Sequence, residues 1–371
     1  MSSAGPITTA DVVFAEATPE QRTISWELNG ASWAPPMTLA EYIGRETTLA
    51  NTSLSANRGT RYYALHLKSD PSVVVSACEV TIKRALVADK GGVREVVAYS
   101  IASVFTAPAH RGHGLAAHLL RCVQNAVDTE LNAECGALYS DIGRKFYTAL
   151  GWKDFGSPQL TLKLEARYTS LPRPGDEPEV ALLSSDDVAP LCEKDVALQR
   201  QRFETLAAEA VEDKTHVAFI PSHTQMAWHF ARDAYVAGVM CDGREVVYRG
   251  AKTVDGASWL YWDHDLRERK LKVLRIVVTT SSAAQATADV KSLLRAALAE
   301  ASSWNLPKVL VWGPSSSACV AATQLWQEAG DTLQVLLDER QDGSIPSLRW
   351  KGDKAPGAAV VWEDNDYFAW C

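Results

Sequence analysis

A chain of 371 residues, 47% apolar and 22% charged, is long enough for two ordinary cores and has the composition of a globular protein. Its formal charge of −8 argues against a nucleic-acid partner, which selects basic faces, and suits a cationic substrate. Seven scattered cysteines with no C-x-x-C pair speak against disulfides and a zinc site, and for a reducing compartment.

No apolar run reaches the length that spans a bilayer, and the first residues, MSSAGPITTADVV, lack the basic-then-apolar pattern of a signal peptide. The cytoplasm is the expected location, with no membrane partner. The charge is uneven: residues 1–165 carry 15 basic against 16 acidic side chains, and residues 166–371 carry 22 against 29.

In chain order, DVVFAEA (11–17) reads as a strand, and Thr18 with Gln21 three residues on reads as a capping box opening a helix. TLAEYIGRETTLA has helical spacing through Leu39, Tyr42, Ile43 and Leu49. RYYALHLKS, SVVVSACEVTIKRALV and REVVAYSIASVFT are β-rich runs parted by turn residues, predicting an antiparallel meander. VFTAPAHRGHGLAAHLL (104–120) then reads as a strand end, a glycine-bearing turn and a helix striped by Leu115, Leu119, Leu120, Val123 and Val127.

Gly112 and Gly114 allow close backbone approach, the starting helix aims unpaired N–H groups at the turn, and Arg111 adds a charge. The stretch predicts a pyrophosphate cradle, although a tight strand-to-helix connection has the same letters. GALYSDIGRKFYTALGW (136–152) predicts another strand, Ala137 to Ser140, and a helix stopping at Gly151. PQLTLKLEA is a further strand, and three prolines and five charged side chains mark residues 166–180 as a linker. Beyond it, LKVLRIVVT, SAAQATADVKSLLRAALAEASSW, KVLVWG and SACVAATQLWQEAG repeat the strand–helix–strand–helix order and again close on a glycine, Gly330.

R-x-x-G-x-A at Arg111, Gly114 and Ala116, followed by FYTALGW, resembles the Gcn5-related N-acetyltransferase superfamily. Together with WLYWDHDLRERKLKVLRI, these stretches look like the fungal L-lysine N6-acetyltransferase family, whose role is in lysine degradation. The resemblance implies an α/β fold with a mixed sheet, the acyl-CoA N-acyltransferase fold, over residues 1–165. It makes acetyl-CoA the co-substrate, with no metal. Residues 181–371 are expected to form a second, degenerate acetyltransferase-like domain that shapes the acceptor site. That copy has Trp326 where the first has Tyr147, and no arginine or glycine between Thr279 and its helix, so it should not bind the donor.

The resemblance also assigns residues. Arg111, Gly112, His113, Gly114, Leu115 and Ala116 would hold the diphosphate, with Ser140 where the family has asparagine. A bulge at Val104, Phe105 and Thr106 would turn N–H groups to the ligand, Val104 being the oxyanion donor. Tyr147 would protonate the departing thiolate, its phenol having a reference pKa of ~10. Trp33 and Tyr42 belong to helices that roof the acceptor side.

An ammonium of reference pKa ~10.4 must lose a proton before it attacks. IASVFT offers no carboxylate, which leaves Glu79, water, or the C-terminal carboxylate of Cys371. Free lysine also presents a carboxylate and an α-ammonium, for which Arg275 and the run Asp263, His264, Asp265 are the expected contacts. A water-facing charge cluster would look alike. The expected activity is transfer of acetyl to the ε-amine of L-lysine. Polyamines, diamines and aminoglycosides are the rival substrates, and a catalytically dead acetyl-CoA-binding module is the rival class.

Overall fold

The computed structural model describes residues 7–165, 180–210, 214–351 and 359–370. The first half begins β1 (Val12–Glu16), α1 (Pro19–Trp33) and α2 (Leu39–Ala50). Each helix opens on a capping box: Thr18 with Gln21, and Thr38 with Glu41. The boxes satisfy N–H groups that no helical carbonyl can reach. The meander follows as β2 (Thr60–Leu67), β3 (Val74–Asp89) and β4 (Gly92–Thr106). After it come α3 (Leu115–Glu130), β5 (Cys135–Ser140), α4 (Lys145–Thr148), β6 (Lys153–Asp154) and β7 (Pro158–Leu164).

The second half holds β8 (Val180–Leu183), α5 (Ser185–Ala208), β9 (Lys214–Phe219), α6 (His223–Met240), β10 (Gly250–Thr253), β11 (Ser258–Asp265) and β12 (Lys270–Val278). It closes with α7 (Ala283–Ser303), β13 (Lys308–Trp312), α8 (Ser316–Ala329), β14 (Leu333–Glu339), β15 (Ile345–Trp350) and β16 (Ala359–Trp362). The linker expected over 166–180 falls, apart from Val180, outside the described residues.

These strands form two mixed sheets of one pattern, so the fold is α/β with a second acetyltransferase-like sheet. The first runs β1-β2-β3-β4-β5-β15-β6, with β9 and β16 added alongside β3, and the second runs β14-β7-β13-β12-β11-β10-β8. Along these two paths, one pair in each is parallel: β4 with β5, and β12 with β13. Both parallel pairs part early. β4 and β5 are in register only over Ala98–Ile101, and β12 and β13 only over Leu271–Val273, which leaves a cleft beyond each.

The strand next to each parallel pair comes from the other half of the sequence. β7, read from its position as the last strand of the first half, pairs with β13 and β14. β15, from the far end of the chain, fills the matching slot between β5 and β6. Arg349 of β15 then forks onto Asp128 of α3 at 2.7 and 2.6 Å. Alternation within PQLTLKL buries Leu160, Leu162 and Leu164, whichever sheet receives them.

The core under the first sheet is the stripe expected of α3: Leu115, Leu119, Leu120, Val123 and Val127 pack with Tyr99, Ile101, Tyr147 and Trp152. Each such buried aliphatic side chain contributes about 1.5–3 kcal/mol. That packing fixes where α3 starts, and so where its free N–H groups point. Among the described residues no helix is long and apolar enough to cross a membrane.

Candidate active site

Between β4 and α3 the chain turns through a short 3-10 segment, Pro108–His110, and then Gly112 and Gly114 at φ of +83° and +75°. Side chains strain in that region, so glycine suits both places. The first helical bond of α3 runs from the His118 N–H to the Gly114 carbonyl. The N–H groups of Leu115, Ala116 and Ala117 therefore stand free at the helix mouth, where its dipole favours an anion. Arg111 is anchored beside them: its Nε donates to the Thr106 carbonyl at 3.0 Å and its guanidinium covers the Phe105 ring. Exposed cation, free amides and open turn together fit a diphosphate.

β4 breaks its ladder beside this turn. Ala77 pairs with Phe105 and Glu79 with Ala102, so Ser103 and Val104 together oppose Cys78, and Ser103 takes φ of +54°. This is a bulge, and it frees backbone amides from the sheet. A cavity of about 690 Å³ runs from the Arg111–Ala116 turn past Val104, Phe105 and Thr106 to Tyr147. Tyr147 is buried there, and burial pushes its phenol well above the ordinary value. It keeps its proton at any working pH and so has one to give. Ser140 and His113 stand outside this lining. The Ser140 hydroxyl organises the next turn, donating to Gly143 O at 2.6 Å and accepting from the Ile142 N–H, while His113 is exposed.

On the other side of the bulge lies a second, charged cavity of about 230 Å³. The two share Trp33, Ile101, Ala102, Ser103, Tyr139 and Asp141. Glu79 lines the second, with its carboxylate accepting from the Trp26 indole at 3.3 Å and from Ser103. Burial and the nearby Glu46 carboxylate push Glu79 up to about 8, against weaker lowering by Trp26 and Arg45. A carboxyl at that value can accept a proton from an amine at the pH where enzymes work.

Of the four expected acceptor contacts, only Asp265 lies on this wall. Asp263 is wholly buried between Lys272 at 3.1 Å and His229 at 3.5 Å. His264 is held between Asp233 at 3.1 Å and Glu300 at 2.9 Å. Arg275 is locked to Asp195, to Asp366 at 2.9 Å and to Asp364 at 3.5 Å, in the cleft of the second sheet. The wall instead includes Glu46, Arg45, Arg232, Tyr367 and Trp370, none of them singled out as substrate contacts from the sequence. One signal was available: Tyr42, Arg45, Glu46 and Leu49 form the buried face of α2, and two charges in an apolar stripe call for a reason.

The Arg275 cluster works on the site indirectly. In the cleft where β12 and β13 part, Arg275 pins Asp364 and Asp366, and Tyr367 stacks on Trp312 with ring centres 3.7 Å apart. The chain then delivers Tyr367 and Trp370 to the wall of the charged chamber; Cys371 lies outside the described residues. Arg275→Met strips Asp195 and Asp366 of their cation, Asp364 keeping Arg202 at 2.6 Å, and is expected to destabilise the fold by about 3–5 kcal/mol. In what still folds, the KM for the amine should rise well above any change in that for acetyl-CoA. Thermal melts and paired saturation curves check both.

A bulged fourth strand, a glycine turn at a helix N-terminus and a splayed parallel pair are the marks of a Gcn5-related N-acetyltransferase. A sequence model described as the LYC1 GNAT-like C-terminal domain matches residues 163–371. The chain belongs to that family. It is 22% identical to a lysine acetyltransferase of Yarrowia lipolytica over 386 residues, covering 91% of this chain and 94% of the relative. Two solved structures share the fold. A putative acetyltransferase from Pyrococcus horikoshii superposes with a TM-score of 0.54 at 8% identity, over 98% of this chain and 96% of that one. A GCN5-related N-acetyltransferase from Kribbella flavida gives 0.53 at 16%, over 92% and 71%.

Proposed function

We propose that the protein transfers the acetyl group of acetyl-CoA to the ε-amine of free L-lysine, as a cytoplasmic step of lysine degradation. The observation that carries this reading is the meeting of two cavities at one bulge: an anion-cradling cleft ending at Tyr147, and a small charged chamber holding Glu79. Arg111 and the amides of Gly112 to Ala116 hold the diphosphate. Lysine presents its ammonium to Glu79, which takes a proton; the freed amine attacks the thioester carbon, and the amide freed at Val104 stabilises the charge growing on oxygen. Tyr147 then protonates the departing sulfur and is restored by the second proton, which the nitrogen sheds as the adduct collapses to the amide. Among the described residues no activated nucleophile stands at the junction, so transfer is direct within a ternary complex.

The Yarrowia lipolytica relative supports lysine as the acceptor by its name, over nearly the whole of both chains. The chamber supports an amine of small size, being below the ~300–1,000 Å³ of ordinary ligand pockets. A screen of CoA release with lysine, ornithine, spermidine and a peptide lysine is expected to favour free lysine. Tight binding of acetyl-CoA with no CoA released by any amine would sink the reading.

A further inference from the structure

α6 packs against α2 and carries two charged neighbours that point to opposite sides. Asp233 faces the second sheet, bonded to Arg249 and His264. Arg232 faces the acceptor chamber, only 9% exposed, with its guanidinium 5.4 Å from the Trp370 ring centre. The other cations of the chamber wall are engaged: Arg45 by Glu46, Lys270 by Glu268, and Arg267 by the Trp33 carbonyl. Among the described residues Arg232 makes no hydrogen bond and no ion pair. Three acids act on it through charge: Asp265 and Asp263, which lie within 3.6 Å of the Lys272 ammonium, and, more weakly, Glu46, which is held by Arg45. A buried guanidinium whose fork of donors opens on a cavity is costly unless something anionic completes it.

We infer that Arg232 receives the α-carboxylate of the acceptor, which makes the chamber selective for an α-amino acid over a plain diamine. This rests on the reading of the protein as a transferase for a free amino acid, and adds the group that recognises it. A guanidinium matches a carboxylate through two parallel N–H···O bonds, which a second amine cannot form. Arg232 thus acts on specificity. It belongs to the second half of the sequence, whereas Glu79 belongs to the first, so selection and proton removal come from different halves of the chain.

The test compares kcat/KM for L-lysine and for 1,5-diaminopentane, which is lysine without its carboxylate, in the full chain and in Arg232→Gln and Arg232→Lys. The wild type is expected to favour lysine by about 100-fold or more. In Arg232→Gln the lysine-to-diamine ratio should collapse toward one, mainly through the KM for lysine, and Arg232→Lys should restore part of it. Lysine amide offered to the wild type should lose as much as lysine loses in Arg232→Gln, a comparison that does not depend on how a variant folds. An equal loss for both amines, or an unchanged ratio, overturns the role of Arg232 while leaving lysine transfer standing. A wild-type protein that acetylates diaminopentane as well as lysine overturns the role of Arg232, and one that acetylates neither overturns the lysine-transferase reading itself.

Discussion

Glu79→Gln is expected to lower kcat for L-lysine by about 10²–10⁴-fold at neutral pH, the usual loss when a general base is removed. The pH profile carries more than the magnitude. Glu79 is pushed up to about 8, so its basic form grows as pH rises through that value, and wild-type kcat/KM should climb on the same limb. The variant should lack that limb and recover only at higher pH, where the amine deprotonates unaided.

Stability gives a second readout for the same residue. The unfolded chain releases this proton near 4.5, whereas the folded one keeps it until about 8. The native state therefore binds more protons in between, and its stability falls as pH rises across that window. Glu79→Gln should flatten the trend in melts at pH 5 and pH 8. Wild-type kinetics together with an unchanged slope would remove Glu79 from the mechanism and return the role of base to water or to the chain end.

The second large effect concerns the whole fold. Cutting the sequence within 166–179 and producing each part alone should give two insoluble fragments. The part ending at 165 keeps β7 but loses both its neighbours, and its β5 and β6 lose β15 from between them. β7 alone is in register with β14 over seven residues and with β13 over five. Several ladder bonds at about 0.5–1.5 kcal/mol each exceed much of a domain's net stability of about 5–15 kcal/mol. Together the two parts should assemble, followed by circular dichroism and amide exchange. A cooperative melt from residues 1–165 alone would contradict the exchange of strands.

What could be read from the letters was local. The capping box at Thr18, the α3 stripe and the glycine turn each depend on residues within one or two helical turns, and each stands where expected. The partner of β7 was not readable, because its apolar alternation suits either sheet and the deciding slot is built by residues more than a hundred positions away. WDHD was misjudged as one cluster. On a strand, side chains alternate, so Asp263 and Asp265 share Lys272 on one face while His264 meets Asp233 and Glu300 on the other. Arg232 needed the fold itself, since nothing within HTQMAWHFARDAYVAGVM tells which flank of that helix borders a cavity.

The reciprocal loan of β7 and β15 also bears on how such a sequence can change over generations. A recombination event that replaced the back half would have to bring along a strand cut to lie against β5, and a vacant berth for Pro158–Leu164. Few unrelated modules could meet both demands at once. The second sheet is thereby tied to the first in inheritance: it can drift in its side chains but cannot be traded away.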